Sequence, residues 1–245
     1  YAYQKSEGTR YGEFYGYIAE GYFQSEEEIK KSPRQMRELA PGDIKYKDLN
    51  DDGVIDANDQ CYLGKSWFPS WSYGMGFNIN YHNFDLALFF QGVSDVSIMA
   101  NGGSIDTGNG DWGASGVGIV PFTGMGLNPS NVITKALDRW TADNPRADAW
   151  YPRMTANATT NDNNYVNSTH WLKDGSYLRL KQASLGYTLE NKKLMDKGIE
   201  YLYFYLSGQN LLTFSKFKLW DPELGSNGAK YPLSRMVTLG MRVSF

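Results

Sequence analysis

A twelve-residue stretch from Asp48 to Asp59 holds five aspartates and two asparagines around a single glycine. Its spacing matches the calcium-binding loop pattern, which places oxygen-bearing residues at alternating positions and glycine at the sixth. Carboxylate, amide and backbone carbonyl oxygens are the ligands that Ca²⁺ prefers. We therefore predict a Ca²⁺ site in this loop. Its ligands would be Asp48, Asn50, Asp52, the backbone carbonyl of Val54, Asp56 and Asp59.

The same loop has a simpler interpretation as an Asx-rich turn between two strands, held by side-chain-to-backbone hydrogen bonds. Asp59 stands where such calcium loops usually have the longer Glu, which makes bidentate closure harder. Gly53 is expected where the chain turns sharply, and the apolar Ile55 is expected to pack inward. The flanking sequences GDIKYK and QCYLG lack helical periodicity, so a bound ion would act as a structural clip rather than a switch.

The composition of the 245-residue chain narrows the function classes. Aromatic residues make up 15% and glycines number 26, a combination that favours β-structure. A net charge of −3 with scattered basic residues argues against nucleic-acid binding. The single cysteine, Cys61, excludes an internal disulfide and a cysteine-based zinc site. His82 and His170 are the two histidines, and no nucleophile motif accompanies them, so we expect no enzyme activity.

Alternating apolar and polar residues predict β-strands. Residues 71–81 (WSYGMGFNINY) alternate strictly between large apolar side chains and Ser, Gly or Asn. Residues 83–92 continue the alternation after His82, which predicts a tight hairpin at His82-Asn83. The last residues, 236–245, alternate again.

Two further strands are predicted between these. In residues 177–189 the apolar positions change from even to odd numbers, and a β-bulge near Lys181 to Ala183 would explain the slip. Residues 201–212 begin with tyrosines on one face and Leu or Phe on the other. The sequence therefore does not assign the faces of this strand.

These strands favour an all-β, antiparallel transmembrane barrel segment over a soluble β-sandwich. Strands of about ten residues suit a tilted membrane crossing. The clearest strands carry small polar residues on one face and large apolar residues on the other. Connections also alternate between short and long, as short turns and long extracellular loops do in outer-membrane barrels.

The long loop at residues 92–176 carries its own signals. Apolar spacing in residues 131–140, after the possible cap Ser130, predicts a short amphipathic helix. The loop also contains several large aromatic residues, which could stack on sugars or pack on one another. We favour packing within the loop, because a long ordered loop needs apolar contacts. These aromatic residues are Trp112, Trp150, Tyr151 and Trp171.

Several stretches, taken in their order, carry a family resemblance. They are FYGYIAEGYFQSEEEI (14–29), PGDIKYKDLNDDGVIDANDQ (41–60), SYGMGFNINYHNFDLALFFQG (72–92), ALDRWTADNP (136–145), WLKDGSYLRLKQASLGYTL (171–189), SGQNLLTFSKFKLWDPELG (207–225) and YPLSRMVTLGMRVSF (231–245). This set resembles the C-terminal part of the SusC/RagA family of TonB-dependent outer-membrane transporters. It spans nearly the whole chain.

The resemblance implies a barrel of roughly 22 strands with a plug, of which residues 1–245 would form the C-terminal part. It implies a location in the outer membrane of a Gram-negative bacterium, in contact with membrane lipid. It also implies import of oligosaccharides or peptides, with a SusD-like lipoprotein as partner and TonB acting through a missing N-terminal part. Residues 41–64, with the Ca²⁺ loop, and 92–176 would be extracellular, and Phe245 would be a signal for barrel assembly.

Two soluble alternatives remain open. One is a secreted calcium-binding module that binds glycans or resembles a dockerin, although dockerins carry two such loops and this chain has one. The other is a calcium-dependent glycosidase using carboxylates such as Asp174, Asp221 and Glu223. Nothing in the sequence brings two of these carboxylates into the required opposed geometry.

Overall fold

A computed structural model describes residues 1–101, 134–154, 162–226, 228 and 231–245. The chain divides into two compact units. The loop unit comprises Tyr1–Phe68, Val96–Asp174 and Leu219–Lys230. The sheet unit comprises Pro69–Asp95, Gly175–Lys218 and Tyr231–Phe245. Among the described residues, no helix has the length and hydropathy needed to cross a membrane.

The described elements are mostly strands. The strands are β1 (Glu13–Gly16), β2 (Ala19–Tyr22), β3 (Ile44–Tyr46), β4 (Cys61–Ser66), β5 (Trp71–Tyr81), β6 (Phe84–Ser94), β7 (Ser97–Met99), β8 (Leu172–Asp174), β9 (Tyr177–Leu189), β10 (Tyr201–Ser215) and β11 (Met236–Ser244). The α-helices are α1 (Glu26–Lys31), α2 (Asp162–Tyr165) and α3 (Lys192–Met195). Single 3₁₀ turns lie at Ala2–Gln4, Ala57–Asp59, Thr134–Leu137 and Pro222–Leu224.

The sheet unit is one antiparallel sheet in the order β11-β10-β9-β6-β5. β5 has the predicted bounds, and β6 begins as predicted and runs on to Ser94. The predicted hairpin is confirmed, since Tyr81 pairs with Phe84 across a two-residue turn. His82 adopts a φ of 50°, in the left-handed region that tight hairpin turns require.

The predicted bulge in β9 is also confirmed. Phe89 pairs with Gln182 and Phe90 with Leu180, so Lys181 is the extra residue on β9. This insertion moves the apolar set from even to odd positions without turning it to the other face. β10 is irregular at the same level, where Asn210 has a φ of 52°.

The two ends of the sheet differ. The turn at His82-Asn83 and the connection at 190–200, which contains α3, join neighbouring strands at one end. Tyr177 pairs with Val93 on one side and Ser215 on the other, so these strand ends share the opposite end. The longer connections leave the sheet at that opposite end. This is the distribution that the sequence predicted.

The loop unit is built on three two-stranded antiparallel pairs, β1-β4, β2-β3 and β7-β8. Strands of three to six residues are too short to stabilise themselves, so packing supplies the stability. Large apolar side chains from separate segments form the core. The fully buried ones include Phe23, Ile44, Tyr46, Ile55, Ile98, Met99, Tyr151 and Trp171.

Buried asparagine side chains join the segments of the loop unit. Asn164 accepts from the backbone N–H of Ile44 at 2.8 Å and donates to Asp43 at 2.8 Å. Asn163 donates to the Ile44 carbonyl at 3.0 Å and accepts from Gln35 at 3.0 Å. These amides satisfy buried backbone groups of β3, where the Ile44 carbonyl also accepts from the Gln35 amide at 2.8 Å.

The predicted helix over residues 131–140 is wrong in its described part. The structure has only the 3₁₀ turn Thr134–Leu137 there, while Ser130 and residues 131–133 lie outside the described residues. The backbone N–H of Trp140 donates to the Tyr151 carbonyl at 2.9 Å, and Tyr151 donates to the Asp138 carbonyl at 3.0 Å. Pairing with a neighbouring segment therefore replaces the next helical turn.

Candidate membrane sheet and loop site

The acidic loop connects β3 to β4 and ends in the 3₁₀ turn Ala57–Asp59. Gly53 has a φ of 82°, in the left-handed region, so the sharp turn predicted at that glycine is confirmed. Ile55 is buried, as predicted. The loop is therefore anchored by an apolar side chain and bent at its one glycine.

Loop carboxylates accept hydrogen bonds from loop backbone groups. Asp48 accepts from the N–H groups of Asp51 at 2.7 Å and Gly53 at 2.8 Å. Asp59 is fully buried and accepts from the N–H groups of Leu49 at 2.8 Å and Asp56 at 2.9 Å. Similar short-range bonds to backbone N–H groups are made by Asn50, Asp52 and Asp56.

These hydrogen bonds explain how the loop accommodates the negative charges of its five aspartates. Partial desolvation raises the pKa of Asp48, but the N–H groups of Gly53 and Asp51 outweigh it and hold that pKa below its ordinary value. Across the described ranges, no three acidic, histidine or cysteine side chains gather as a metal-binding group. The donor types suit Ca²⁺, but they are not collected around one point, and calcium binding stays a prediction.

The loop aromatics pack on one another. Trp150, Tyr151 and Trp171 form a cluster with ring-centre separations of 4.4, 5.5 and 5.8 Å. Tyr151 and Trp171 are fully buried. The predicted self-packing is thus confirmed for these three residues, while Trp112 lies outside the described residues.

His170 lies against this cluster, with its ring 4.7 Å from that of Trp171. Its Nε2 is 3.2 Å from the Trp150 carbonyl oxygen and 3.3 Å from the Tyr22 hydroxyl. Burial, with the Lys173 ammonium nearby, lowers the pKa of His170 to about 4. Burial also lowers the pKa of Lys173 to about 8. His170 is therefore a neutral packing residue at pH 7.

One face of the sheet is almost entirely apolar. Residues directly opposed on antiparallel strands project to the same face, so the strand register assigns every position. The register also assigns the faces of β10: Leu202, Phe204 and Leu206 lie on the same side of the sheet as the apolar residues of β9. The apolar face comprises Trp71, Tyr73, Met75, Phe77, Ile79, Tyr81, Phe84, Leu86, Leu88, Phe90, Leu178, Leu180, Leu185, Tyr187, Leu189, Leu202, Phe204, Leu206, Leu212, Phe214, Val237, Leu239, Met241 and Val243.

This apolar face is exposed. Phe77 is 50% exposed, Ile79 54% and Leu239 80%, and Leu86 is half-buried. A soluble β-sandwich would seal these side chains inside a core. A face of this extent needs an apolar surrounding, because each exposed large side chain forgoes roughly 1.5–3 kcal/mol of burial free energy in water.

The opposite face is mainly polar and rich in glycine, and it also carries Phe89, Val93 and Met236. Tyr203 donates a hydrogen bond to Asp85 at 2.9 Å, across the intervening strand β9. A side chain at Gly186 would collide with both partners, so this glycine makes room for the bond. Polar and glycine positions on this face include Ser72, Gly74, Gly76, Asn78, Asn80, Asp85, Gln91, Gln182, Ser184, Gly186, Thr188, Ser207, Gln209, Thr213, Thr238, Gly240 and Arg242.

The histidines and the carboxylates considered as candidates for hydrolysis occupy the following positions. His82 lies in the sheet unit and His170 in the loop unit. Asp221 caps the 3₁₀ turn Pro222–Leu224 by accepting from the backbone N–H of Glu223 at 3.0 Å. Asp174 is the last residue of β8. These positions give no support to a glycosidase.

Sequence reasoning missed a buried ion pair. Arg153 donates to both oxygens of Asp43, at 3.0 and 2.9 Å, and Asp43 is 2% exposed. The same carboxylate accepts from the backbone N–H of Ala40 at 2.8 Å and from Asn164. The partners are more than one hundred residues apart in sequence, and no local pattern announces such a pair.

Comparison with known proteins shows which proteins the chain is similar to. No family model matches the sequence. The chain is 30% identical over 241 residues to TonB-dependent receptor P26 of Formosa agariphila, an alignment covering 92% of this chain and 22% of that protein. It is 28% identical over 255 residues to TonB-dependent receptor P3 of the same organism, covering 98% and 22%. Over most of its length, the chain is therefore similar to a segment of TonB-dependent receptors.

Solved structures share the fold of this chain. The RagAB peptide importer in its open-open state matches with a TM-score of 0.62 and 23% identity, over 95% of this chain and 22% of that one. Its closed-closed state matches with a TM-score of 0.60. The predicted fold class is confirmed in that the described chain is mostly antiparallel β-sheet and matches a segment of the RagAB fold. The relatives are receptors rather than enzymes, as expected, and the chain spans about a fifth (22%) of their length.

Proposed function

We propose that this chain forms part of the wall of an outer-membrane transporter that imports glycans or peptides. The observation that carries the proposal is the sheet unit, with one exposed apolar face and one polar face. In a membrane-spanning barrel the first would contact lipid and the second would line the aqueous interior. The soluble alternatives, a secreted calcium-binding module among them, leave that apolar face without a partner.

The dimensions of the sheet support a membrane crossing. The eleven residues of β5 extend about 33 Å at roughly 3.3 Å per residue. Tilted by about 40°, such a strand crosses roughly 25 Å, the height of the apolar band of outer-membrane barrels.

Aromatic side chains lie at both ends of this span. At the turn end, a row across four neighbouring strands is formed by Tyr81, Phe84, Tyr187 and Phe204. At the other end β5 begins with Trp71 and Tyr73 on the same face. Aromatic girdles at both membrane interfaces are typical of outer-membrane barrels.

The transport partners follow from the family rather than from contacts. We propose that a SusD-like lipoprotein covers the extracellular side and that TonB acts through a part of the protein outside this chain. The similarity to the RagAB peptide importer favours peptides, while the identity of 23% leaves glycans open. Phe245, exposed at the end of the last strand, is proposed to be an assembly signal.

The test uses the full-length protein. We expect it to fractionate with outer membranes and to require detergent for extraction. Cells should take up a labelled oligopeptide or oligosaccharide only when both the protein and TonB are present. A water-soluble protein released without detergent would contradict the proposal. Uptake that persists without TonB would contradict its energy source.

A further inference from the structure

Three aromatic side chains near the end of β4 are exposed although they pack on one another. Tyr11 is 76% exposed, Trp67 42% and Phe68 50%. Their ring centres are separated by 5.7 to 5.9 Å in all three pairs. We call these three residues the aromatic triad. The aromatic triad is an exposed apolar cluster on the surface of the loop unit.

Hydrogen bonds hold the triad in place. The backbone N–H of Trp67 donates to the Gly12 carbonyl at 3.1 Å. The Ser66 hydroxyl donates to the Tyr11 carbonyl at 2.7 Å and accepts from the N–H of Phe68 at 2.8 Å. A side chain at Gly12, whose φ is 70°, would collide with the Trp67 indole. The rings are therefore preorganised, which lowers the entropy cost of binding a surface.

The covalent chain keeps the triad near the start of β5. Three residue steps separate Phe68 from Trp71, so their Cα atoms lie at most about 11 Å apart. Trp71 is the first residue of the apolar face. The headgroup layer on each side of a bilayer is roughly 5–8 Å thick. The triad is thus within reach of that layer wherever the sheet crosses the membrane.

The chemistry of the triad fits the headgroup layer better than it fits a sugar. Trp and Tyr have an apolar body and a polar tip, and both are enriched at membrane interfaces. The ring planes meet at 57°, 82° and 83°, which leaves no flat platform for a sugar ring.

We propose that the aromatic triad inserts into the lipid headgroup layer and anchors the loop unit to the membrane. This inference rests on the proposed function, because it requires the sheet unit to span the same membrane. It adds a lipid contact made by loop residues outside the strands.

The first experiment measures depth in a lipid nanodisc. Full-length protein in which Cys61 and every other cysteine are replaced by alanine receives one spin label at position 68, 77 or 30, and its accessibility to oxygen and to a water-soluble nickel complex is compared. Position 77 lies on the apolar face and position 30 is an exposed site in α1. A value at 68 between those at 77 and 30 supports the anchor, and a value equal to that at 30 overturns it. Water-like accessibility at 77 would instead overturn the membrane assignment itself.

The second experiment separates anchoring from folding. Tyr11→Ser with Phe68→Ser is compared with Tyr11→Trp, which keeps an interfacial aromatic. We expect the unfolding temperature of the serine variant to fall further below that of the natural protein in nanodiscs than in detergent, while the tryptophan variant matches the natural protein in both. Equal losses in both media would show a purely structural role and overturn the proposal.

Discussion

At the residue scale, the carboxylates of the acidic loop are held by hydrogen bonds from backbone N–H groups of the same loop. Asp48 and Asp59 together accept four backbone N–H groups. Among the described residues, no three acidic, histidine or cysteine side chains gather as a metal-binding group, and Ca²⁺ binding by this loop stays a prediction.

This gives a calcium prediction with a matched control. Asp48→Asn removes a charge at the first ligand position, and Asp51→Asn removes one at a position that the loop pattern leaves free. We expect calorimetric titration of the full-length protein to show Ca²⁺ binding that is lost in Asp48→Asn and retained in Asp51→Asn. Equal heats for both variants, or no heat in the natural protein, would remove the calcium assignment.

His170 predicts a dependence of stability on pH. Its pKa falls from an unfolded value near 6.5 to about 4 in the folded protein. Protonation therefore favours the unfolded state, and the contribution present above pH 6.5 is lost as the pH falls toward 4. From pH 7 to pH 5 we expect a loss of at most roughly 2 kcal/mol.

His170→Gln is the variant that checks this assignment. Glutamine fills a similar volume and carries no titrating group in this range. The unfolding temperature of the natural protein should drop between pH 7 and pH 5, and that of His170→Gln should drop less. Identical profiles for the two proteins would mean that His170 is not the titrating group.

Sequence reasoning succeeded at residues whose local pattern has one meaning. The turn at Gly53 and the inward packing of Ile55 follow from spacing within twelve residues. The Asp43–Arg153 pair and the amide bonds of Asn164 could not be predicted, because each joins segments far apart in the chain. Asn163-Asn164 reads locally as a turn, and its buried role depends on tertiary contacts.

At the element scale, the sheet depends on glycines that admit cross-strand contacts. Gly186→Ala would place a methyl group against the Asp85 carboxylate and the Tyr203 hydroxyl. Gly76→Ala is the control, since it faces the same side and meets its nearest atom only at 3.7 Å. We expect Gly186→Ala to destabilise by about 1–3 kcal/mol and Gly76→Ala to be nearly neutral. Thermal unfolding in detergent measures both, and equal effects would contradict the close packing.

Long strands were the most predictable elements. β5 and β11 alternate over nine or more residues, so period two is unambiguous. β10 could not be assigned to faces because its first six residues are apolar or aromatic on both sides. The register between β10 and β9 assigns these residues to the two faces. The short strands of the loop unit, at three to six residues, are too brief to show a period.

The helix prediction failed for a similar reason. Apolar spacing near residues 134–140 fits a helical face as well as it fits a buried segment. Ala136 and Trp140 are indeed buried, whereas Leu137 is exposed. Backbone pairing with Tyr151 decides between the two, and this partner is invisible to a local pattern.

At the scale of the whole molecule, the sheet unit is a single layer with two unlike faces. Its outer strands, β5 and β11, each use one edge for pairing within the sheet. A single layer cannot bury its apolar face within itself, so the surroundings must supply the apolar contact. The membrane-spanning role proposed for the sheet unit therefore requires lipid on its apolar face and water on its polar face.

Lipid quenching at neighbouring positions tests this claim most directly. A fluorescent label is placed singly at 77 or 239 on the apolar face, or at 78 or 238 on the polar face, of the full-length protein in which Cys61 and every other cysteine are replaced by alanine. In nanodiscs with brominated lipid, we predict strong quenching at 77 and 239 and little at 78 and 238. Equal quenching at all four positions, or none at 77 and 239, would contradict the membrane-spanning sheet.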